Sequence, residues 1–401
     1  MNIIVVASLA PSLLNFRGPL LEAMVKLGHR VTACAPEYDE RIVRGLSDIG
    51  VSFRIIPMDR VGLNPLADLK TMYALASMFR RERPDLILAY TQKPIIYSGL
   101  AARLTARGTR MVMMMTGLGY VCTEGGGIVR RLVRPLMARM FRLASAQAHR
   151  VLVFNGHDAA DMRRYAMAAK GREIVQVPGS GVDVRHFAEK PLPQGRPTLL
   201  MIGRLLKDKG LYEYVEAARL VRQSHPSARF QLLGPFDANP SAVNRDDVRR
   251  WEDEGLIEYL GATNDVRPFL EQATVFVLPS YREGLPRSTL EAMATGRPVI
   301  TTDAPGCSET VVDGDNGFLV PVGDAAALAT AMSRLLASPE LVERMGRRSR
   351  EIAVSRYSVE RVNAVLLELM GLTDRPVVDA ETPDSRVQLK DPSLSQVRAL
   401  G

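Results

Sequence analysis

Short, nearly continuous apolar runs alternate along this chain with longer stretches in which apolar residues return every three or four positions. The runs IIVVAS (3–8), RVTACA (30–35), VSFRIIP (51–57), DLILAY (85–90), RMVMMM (110–115) and RVLVFN (150–155) are dominated by Val, Ile, Leu and Met. Strands covered on both faces have this character. Between them lie segments of helical spacing such as PLADLKTMYALASMFRRE (65–82). A second series follows: TLLMIG (198–203), RFQLLG (229–234), IEYLG (257–261), VFVLP (275–279) and PVITT (298–302). The alternation predicts βαβ units and parallel sheets with helices on both faces, an α/β fold of two Rossmann-like domains. The pattern breaks after VPGSGVDVRHF (177–187), where EKPLPQGRP (189–197) is rich in Pro. Domains at 1–187 and 198–355 are expected, with a linker at 188–197.

Composition narrows the class. At 401 residues the chain is long for one core and suits two domains of roughly 180 residues each. Hydrophobic content of 46% with 24% charged residues is that of an ordinary soluble globular protein. The first apolar run lacks a basic flank and is short, and no 18-residue apolar stretch occurs, so neither a signal peptide nor a membrane span is expected. Three cysteines without metal-ligand spacing fit a reducing cytoplasm. The net charge of +8 admits anionic lipid or phosphorylated partners. Nucleic acid is disfavoured, because aromatics are only 6% and are not interleaved with a basic run.

The candidate chemistry concentrates in REGLPRSTLEAMATGRPVI (282–300). A buried strand, ATVFVLPS, exits through Gly284 and Pro286 into a helix, with Glu283 in the loop and Glu291 about one turn inside the helix. The amides of Ser288, Thr289 and Leu290 stand at that helix start, where free N–H groups and the helix dipole favour phosphate. The alternative is a solvated helix with an acidic first turn. Upstream, MIGRLLKDKGLYEYVEAA (201–218) places Arg204 and Lys209 across a tight loop between a strand and a helix from Gly210. Arg binds a diphosphate bidentately and Lys as a point charge, and both would stabilise a leaving diphosphate.

GRLLKDKG followed by EGLPRSTLEAMATGRPVI resembles the carboxyl-terminal domain of the retaining family 4 glycosyltransferases of GT-B architecture, in which the two domains face across a cleft. The likeness runs from NIIVVAS to SRYSVERVNAVLLELM (355–370). SLLNFRGPL (12–20), DRVGLNP (59–65), TGLGY (116–120) and LGPFDANPSAV (233–243) are similar to the subgroup that extends polyprenyl-diphosphate-linked sugars in bacterial glycan assembly, including the α-1,3-N-acetylgalactosaminyltransferases. The resemblance implies a UDP-sugar donor, retention by front-face substitution, and no required metal or other cofactor. It implies that Glu291 accepts the ribose hydroxyls and that Glu283 holds the sugar beside the backbone of Gly284, Leu285, Pro286 and Arg287. It also implies that 356–372 returns to the first domain. Residues 373–401, polar and Pro-containing, read as disordered.

In the first domain, Gly18 and Pro19 open a helix, and Gly18 is expected to let the backbone approach the donor phosphates. Glycine before proline marks many other loops. Lys93, opening the helix after the fourth strand, is expected to point into the cleft. With Arg60, Asn15 and Arg17 it forms the acceptor-side set drawn from the subgroup, against the alternative of ordinary surface charge. Many family members carry a histidine after a middle strand, where this chain has TGLGY. Its five histidines fall elsewhere, so no catalytic base is assigned. Asp313-Gly314-Asp315 spells D-x-D, but Asp-Gly and Asn-Gly pairs before a strand are turn chemistry, so no metal site is expected. The helix 128–144 sets Arg130, Arg131, Arg134, Arg139 and Arg142 among apolar residues. It reads either as a contact with an anionic membrane or as a packed helix with a basic solvated face, and the first reading puts the protein at the inner face of the cytoplasmic membrane. A GT-B epimerase and a non-catalytic nucleotide-sugar module are the competing functions. The sugar, linkage and acceptor are not written in the sequence.

Overall fold

The computed structural model describes residues 1–59, 64–106, 108–118, 128–239 and 241–373, with 128–133 as backbone only. Arg60, the side chains of Arg130 and Arg131, and the stretch 374–401 lie outside the described residues.

The first sheet contains β1 (Asn2–Val6), β2 (Arg30–Ala35), β3 (Ser52–Ile55), β4 (Leu86–Tyr90), β5 (Arg110–Met115), β6 (Arg150–Val153) and β7 (Ile174–Gln176). Their order is β3-β2-β1-β4-β5-β6-β7, and every pairing is parallel. β1 and β4 are fully buried, which is why both read as unbroken apolar runs. Alternate residues along β1 feed two cores. Ile4 and Val6 pack under α4 (Pro65–Glu82), α5 (Gln92–Thr105), α6 (Ile128–Ser145) and α7 (Gly156–Arg164). Ile3 and Val5 pack under α1 (Pro11–Asn15), α2 (Gly18–Lys26) and α3 (Glu40–Asp48) on the opposite side.

The second sheet contains β8 (Thr198–Ile202), β9 (Arg229–Leu233), β10 (Glu258–Tyr259), β11 (Val275–Leu278), β12 (Val299–Thr302) and β13 (Gly317–Val320), in the order β10-β9-β8-β11-β12-β13. It too is parallel and carries one core. Its flanking helices are α8 (Leu211–Arg222), α9 (Arg245–Asp253), α10 (Arg267–Gln272), α11 (Arg287–Ala294), α12 (Ala325–Leu336) and α13 (Pro339–Tyr357).

In each sheet the strand order reverses beside the first strand, at β1/β4 and at β8/β11, and ligands of such sheets bind at these switch points. The chain crosses between domains twice, side by side. Val182 and Phe187 already belong to the second core, so the outward crossing precedes the Pro-rich 188–197 stretch. The return comes at Ser358, where Val182 N–H bonds to Tyr357 O at 2.8 Å and Val359 N–H bonds to Val182 O at 2.9 Å. Beyond it, α14 (Val359–Leu369) packs on α2 and buries Val362, Leu366 and Met370 in the first domain's core.

Candidate active site

The switch point of the second sheet joins the two loops singled out in the sequence. After β8 the chain makes a single 3-10 turn, Lys207–Lys209, and leaves it through Gly210 at φ +75°, where a Cβ would strike Pro279 O. The backbone oxygen of Asp208 accepts from Tyr281 N–H at 2.9 Å and from Ser280 Oγ at 3.1 Å. This fastening sets the Lys209 ammonium against the Glu283 carboxylate in a mostly buried ion pair. Arg204, at the other end of the β8 loop, donates instead to Asp237 Oδ2 at 2.7 Å and stays half exposed.

α11 begins at Arg287 behind Pro286, with no side-chain cap. Ser288 Oγ donates to Ile202 O at 3.1 Å, which ties this helix start to the end of β8, while the buried Thr289 hydroxyl has no partner among the described residues. Leu290 is buried one turn further on. Arg287 Nε pairs with Glu291 Oε1 at 2.9 Å, and its guanidinium also donates to Asn15 O and lies 5.3 Å from the Phe16 ring centre across the interdomain boundary. Burial pushes the Glu291 carboxyl above its usual range, and Arg287 partly offsets that. Leu285 packs against both cores. Gly284 meets the first domain so closely that a Cβ would collide with Thr116 O.

The first domain's switch point is polar. Ser8 Oγ and Thr91 Oγ1 stand 2.9 Å apart, and Thr91 has φ +68°, a strained value for a β-branched residue. Arg17, the residue before α2, is only 2% exposed and makes no side-chain bond to the helix start; its guanidinium lies 5.0 Å from the Tyr90 ring centre and 5.5 Å from that of Phe154. It donates to Ser180 Oγ at 3.0 Å, and its Nε has no partner among the described residues. Burial above all, with nearby Arg287 as a smaller contribution, pulls its pKa down to about 10. Buried Gly18 follows it, with a Leu14 methyl 3.8 Å from where its Cβ would be.

The acceptor-side residues fall in two places. The Lys93 ammonium pairs with Asp68, in the first turn of α4, at 3.1 Å, a partner 25 residues away that a helix-start argument cannot supply. The 8–20 connection holds the short helix α1, with Pro11 at its first position. Arg17 and exposed Asn15 do lie beside Arg287, Arg17 as a buried cation and Asn15 through its backbone oxygen. Asp313 Oδ1 accepts from Leu319 N–H at 2.9 Å, and Asp315 Oδ2 pairs with Arg348 at 2.7 Å, so the D-x-D serves a turn.

Sequence reasoning missed a group on α7. Asn155 caps this helix by accepting from Asp158 N–H at 2.7 Å, and donates across the boundary to Gly284 O at 2.8 Å and Glu283 O at 3.3 Å. Arg282 binds Asp158 at 2.5 Å and Asp161 at 2.7 Å. The signal available was Asn155 followed three residues later by Asp158 after a strand, a capping pattern.

Two parallel-sheet, Rossmann-like domains facing across a cleft define the GT-B architecture. A model of glycosyl transferases group 1 matches residues 196–338, and one of the glycosyl transferase 4-like domain matches 18–180. The chain belongs to this glycosyltransferase family. It is 28% identical over 82% of its length to the N,N'-diacetylbacillosaminyl-diphospho-undecaprenol alpha-1,3-N-acetylgalactosaminyltransferase of Campylobacter jejuni, spanning 88% of that protein. It is 25% identical over 75% of its length to the UDP-Gal:alpha-D-GlcNAc-diphosphoundecaprenol alpha-1,3-galactosyltransferase of Escherichia coli, spanning 79% of it. Among solved structures, Anabaena Alr3699/HepE in complex with UDP and glucose superposes with a TM-score of 0.73 at 19% identity, over 93% of this chain and all of that one.

Proposed function

We propose that this protein moves an N-acetylhexosamine or hexose from a UDP-sugar to a polyprenyl-diphosphate-linked glycan during assembly of a bacterial surface polysaccharide or glycoprotein glycan, with retention and without a metal. The observation that carries the reading is the joint placement of Lys209, Glu283, Arg287 and Glu291 where β8, β11 and α11 meet. Each cation there is already paired with a carboxylate. A diphosphate arriving at Lys209, Arg204 and the uncapped start of α11 would exchange those partners for phosphate oxygens. Glu291 is then free for ribose hydroxyls and Glu283 for the sugar.

The preplaced cations stabilise negative charge that grows on the leaving UDP, the role a divalent ion would otherwise fill. In front-face substitution the leaving phosphate itself takes the proton of the acceptor hydroxyl. On the acceptor side Arg17 is the leading candidate, because a buried cation facing Arg287 with no carboxylate partner among the described residues is costly unless an anion visits it. Arg60 and Asn15 complete the proposed set.

Contact with the cytoplasmic membrane is part of the proposal. The lipid-linked acceptors printed in the names of both relatives support it. So does charge placement: α4, α5 and α6 pack in sequence in one layer and together hold ten Lys or Arg against two Asp or Glu. That local excess equals the +8 of the whole chain. Leu66, Leu69 and Tyr73 on α4 are 80%, 57% and 75% exposed, and Leu136 on α6 is 53% exposed, an apolar stripe among cations suited to an anionic interface. No described helix is long and apolar enough to cross a membrane.

The test is a mass-spectrometric screen of UDP-sugars with a short-chain polyprenyl-diphosphate sugar, followed by NMR of the product's anomeric configuration. Transfer with retained configuration supports the reading. Interconversion of the free UDP-sugar would favour an epimerase, and UDP binding without turnover a non-catalytic module.

A further inference from the structure

We propose that Arg282 is a positioning residue whose two carboxylate partners on the opposite domain, Asp158 and Asp161, set the loop that carries Glu283 for reaction on the donor sugar. The inference rests on the transferase reading above and extends it to how the domains cooperate.

Arg282 and Glu283 are adjacent but belong to different partnerships. The Glu283 carboxylate pairs with Lys209 of its own domain. The Arg282 guanidinium is held by Asp158 at 2.5 Å and Asp161 at 2.7 Å, one helical turn apart on α7. The salt-bridge site is closed: the side chains are 11%, 0% and 19% exposed. Asp158 is in turn fixed by Asn155 Nδ2 at 3.0 Å and by Leu118 N–H at 3.3 Å. Burial raises its carboxyl pKa, and Arg282 is the chief group opposing that.

The same helix start also holds the loop's backbone. Asn155 donates to the carbonyls of Glu283 and Gly284, while Glu283 N–H bonds within its own domain to Pro305 O at 2.8 Å. Opposite, Gly284 abuts Thr116 so closely that no side chain fits between them. The loop around Glu283 is therefore held from the domain that faces the acceptor: before it by the Arg282 side chain on α7, after it by Asn155 on its carbonyls and by Thr116 past the end of β5. Opening the domains would break the Arg282 pairs and the Asn155 bonds together, and with them the orientation of the Glu283 carboxylate. The residues expected to grip UDP, Arg204, Lys209 and Glu291, take no part in this latch. Nucleotide binding is thus separable from alignment of the sugar, and only a closed enzyme is set for transfer.

The experiment compares the full-length protein with Arg282→Lys, Arg282→Gln and Asp161→Asn, using the UDP-sugar and short-chain acceptor that the wild type turns over. Turnover and donor KM are measured, and UDP affinity is determined by calorimetry. Removing a buried partner outright risks misfolding, so Asp161→Asn at the rim and the charge-keeping Arg282→Lys ensure folded variants. Misalignment on the ångström scale costs up to about 100-fold in rate. The expected result is kcat reduced about 100-fold in Arg282→Gln and about 10-fold in Arg282→Lys and Asp161→Asn, with UDP affinity within about 3-fold of wild type. Unchanged kcat in folded Arg282→Lys and Asp161→Asn overturns the proposal, as does parallel loss of kcat and UDP affinity, which would mark the pairs as simple domain adhesion. A wild type that neither binds UDP nor transfers sugar refutes the transferase reading itself, a failure distinct from that of the latch.

Discussion

Lys209 and Glu283, 74 residues apart in the chain, pair across the switch point of the second sheet. The pair joins the loop after β8 to the loop after β11, so an approaching diphosphate must compete with Glu283 for the ammonium. In this resting arrangement each of the two charges neutralises the other in a mostly closed site.

Replacing Lys209 with Ala removes a stabiliser of the leaving group and strands Glu283. Turnover should fall by about 100-fold, the scale for one oxyanion-type donor, with a smaller change in donor KM. Near-wild-type steady-state kinetics in a folded Lys209→Ala, Arg204→Ala double variant would end the transferase reading. Asp237→Asn should do the opposite of a site mutation. It releases half-exposed Arg204, so donor KM should drop by about 3-fold, on the scale of one exposed ion pair.

Glu291 is the place where stability and function oppose one another. Burial raises its pKa, so the fold prefers the neutral acid. By linkage that preference favours the folded state at low pH and is lost as pH rises through the raised pKa; at neutral pH the ionised group costs stability. Glu291→Gln should therefore raise the melting temperature by a few degrees while weakening UDP binding, since an amide is the poorer acceptor for ribose hydroxyls. Wild-type UDP affinity should decline on acidification before ordinary carboxylates titrate. A lower melting temperature together with unchanged UDP affinity would remove Glu291 from the donor site.

If, as proposed, Arg204 and Lys209 take the place of a divalent ion, EDTA should leave transfer largely intact. Asp313→Ala should lower the melting temperature, since Leu319 N–H loses its acceptor, with kcat nearly unchanged. Activity lost to EDTA and restored by Mg²⁺ or Mn²⁺ would overturn this reading.

What the sequence disclosed follows from the range of the interactions involved. Central parallel strands announce themselves because both faces are buried, as in β1 and β4, and the helix-start chemistry around Glu283 is local. Edge strand β7 did not, being three residues long and at best half-buried. Arg282 carries no local signal, since its partners lie 124 and 121 residues earlier. The partner of Lys93 was hidden for the same reason: Asp68 of α4 lies 25 residues earlier.

Membrane contact can be tested on described residues of the basic layer. The exposed leucines and Tyr73 of α4 would enter the headgroup region, while Arg139 and Arg142 on α6 remain at the phosphates. Each surface cation adds about 1 kcal/mol toward an anionic bilayer, and that attraction is screened within roughly 8 Å at physiological ionic strength. The protein should therefore sediment with vesicles containing anionic lipid at low salt, be released at higher salt, and bind neutral vesicles far less. Arg142 also donates to Ala166 O at 2.7 Å, so Arg139→Gln is the cleaner charge variant. Combined with Leu66→Ser and Tyr73→Ser it should weaken vesicle binding by about 10-fold or more, because both the electrostatic and the apolar contributions fall. Transfer to a soluble short-chain acceptor should stay near wild type, since none of these residues lies at the switch points. Equal sedimentation of variant and wild type would mean that α4 to α6 form only a solvated basic face, and that the lipid-linked acceptor reaches the cleft over another surface.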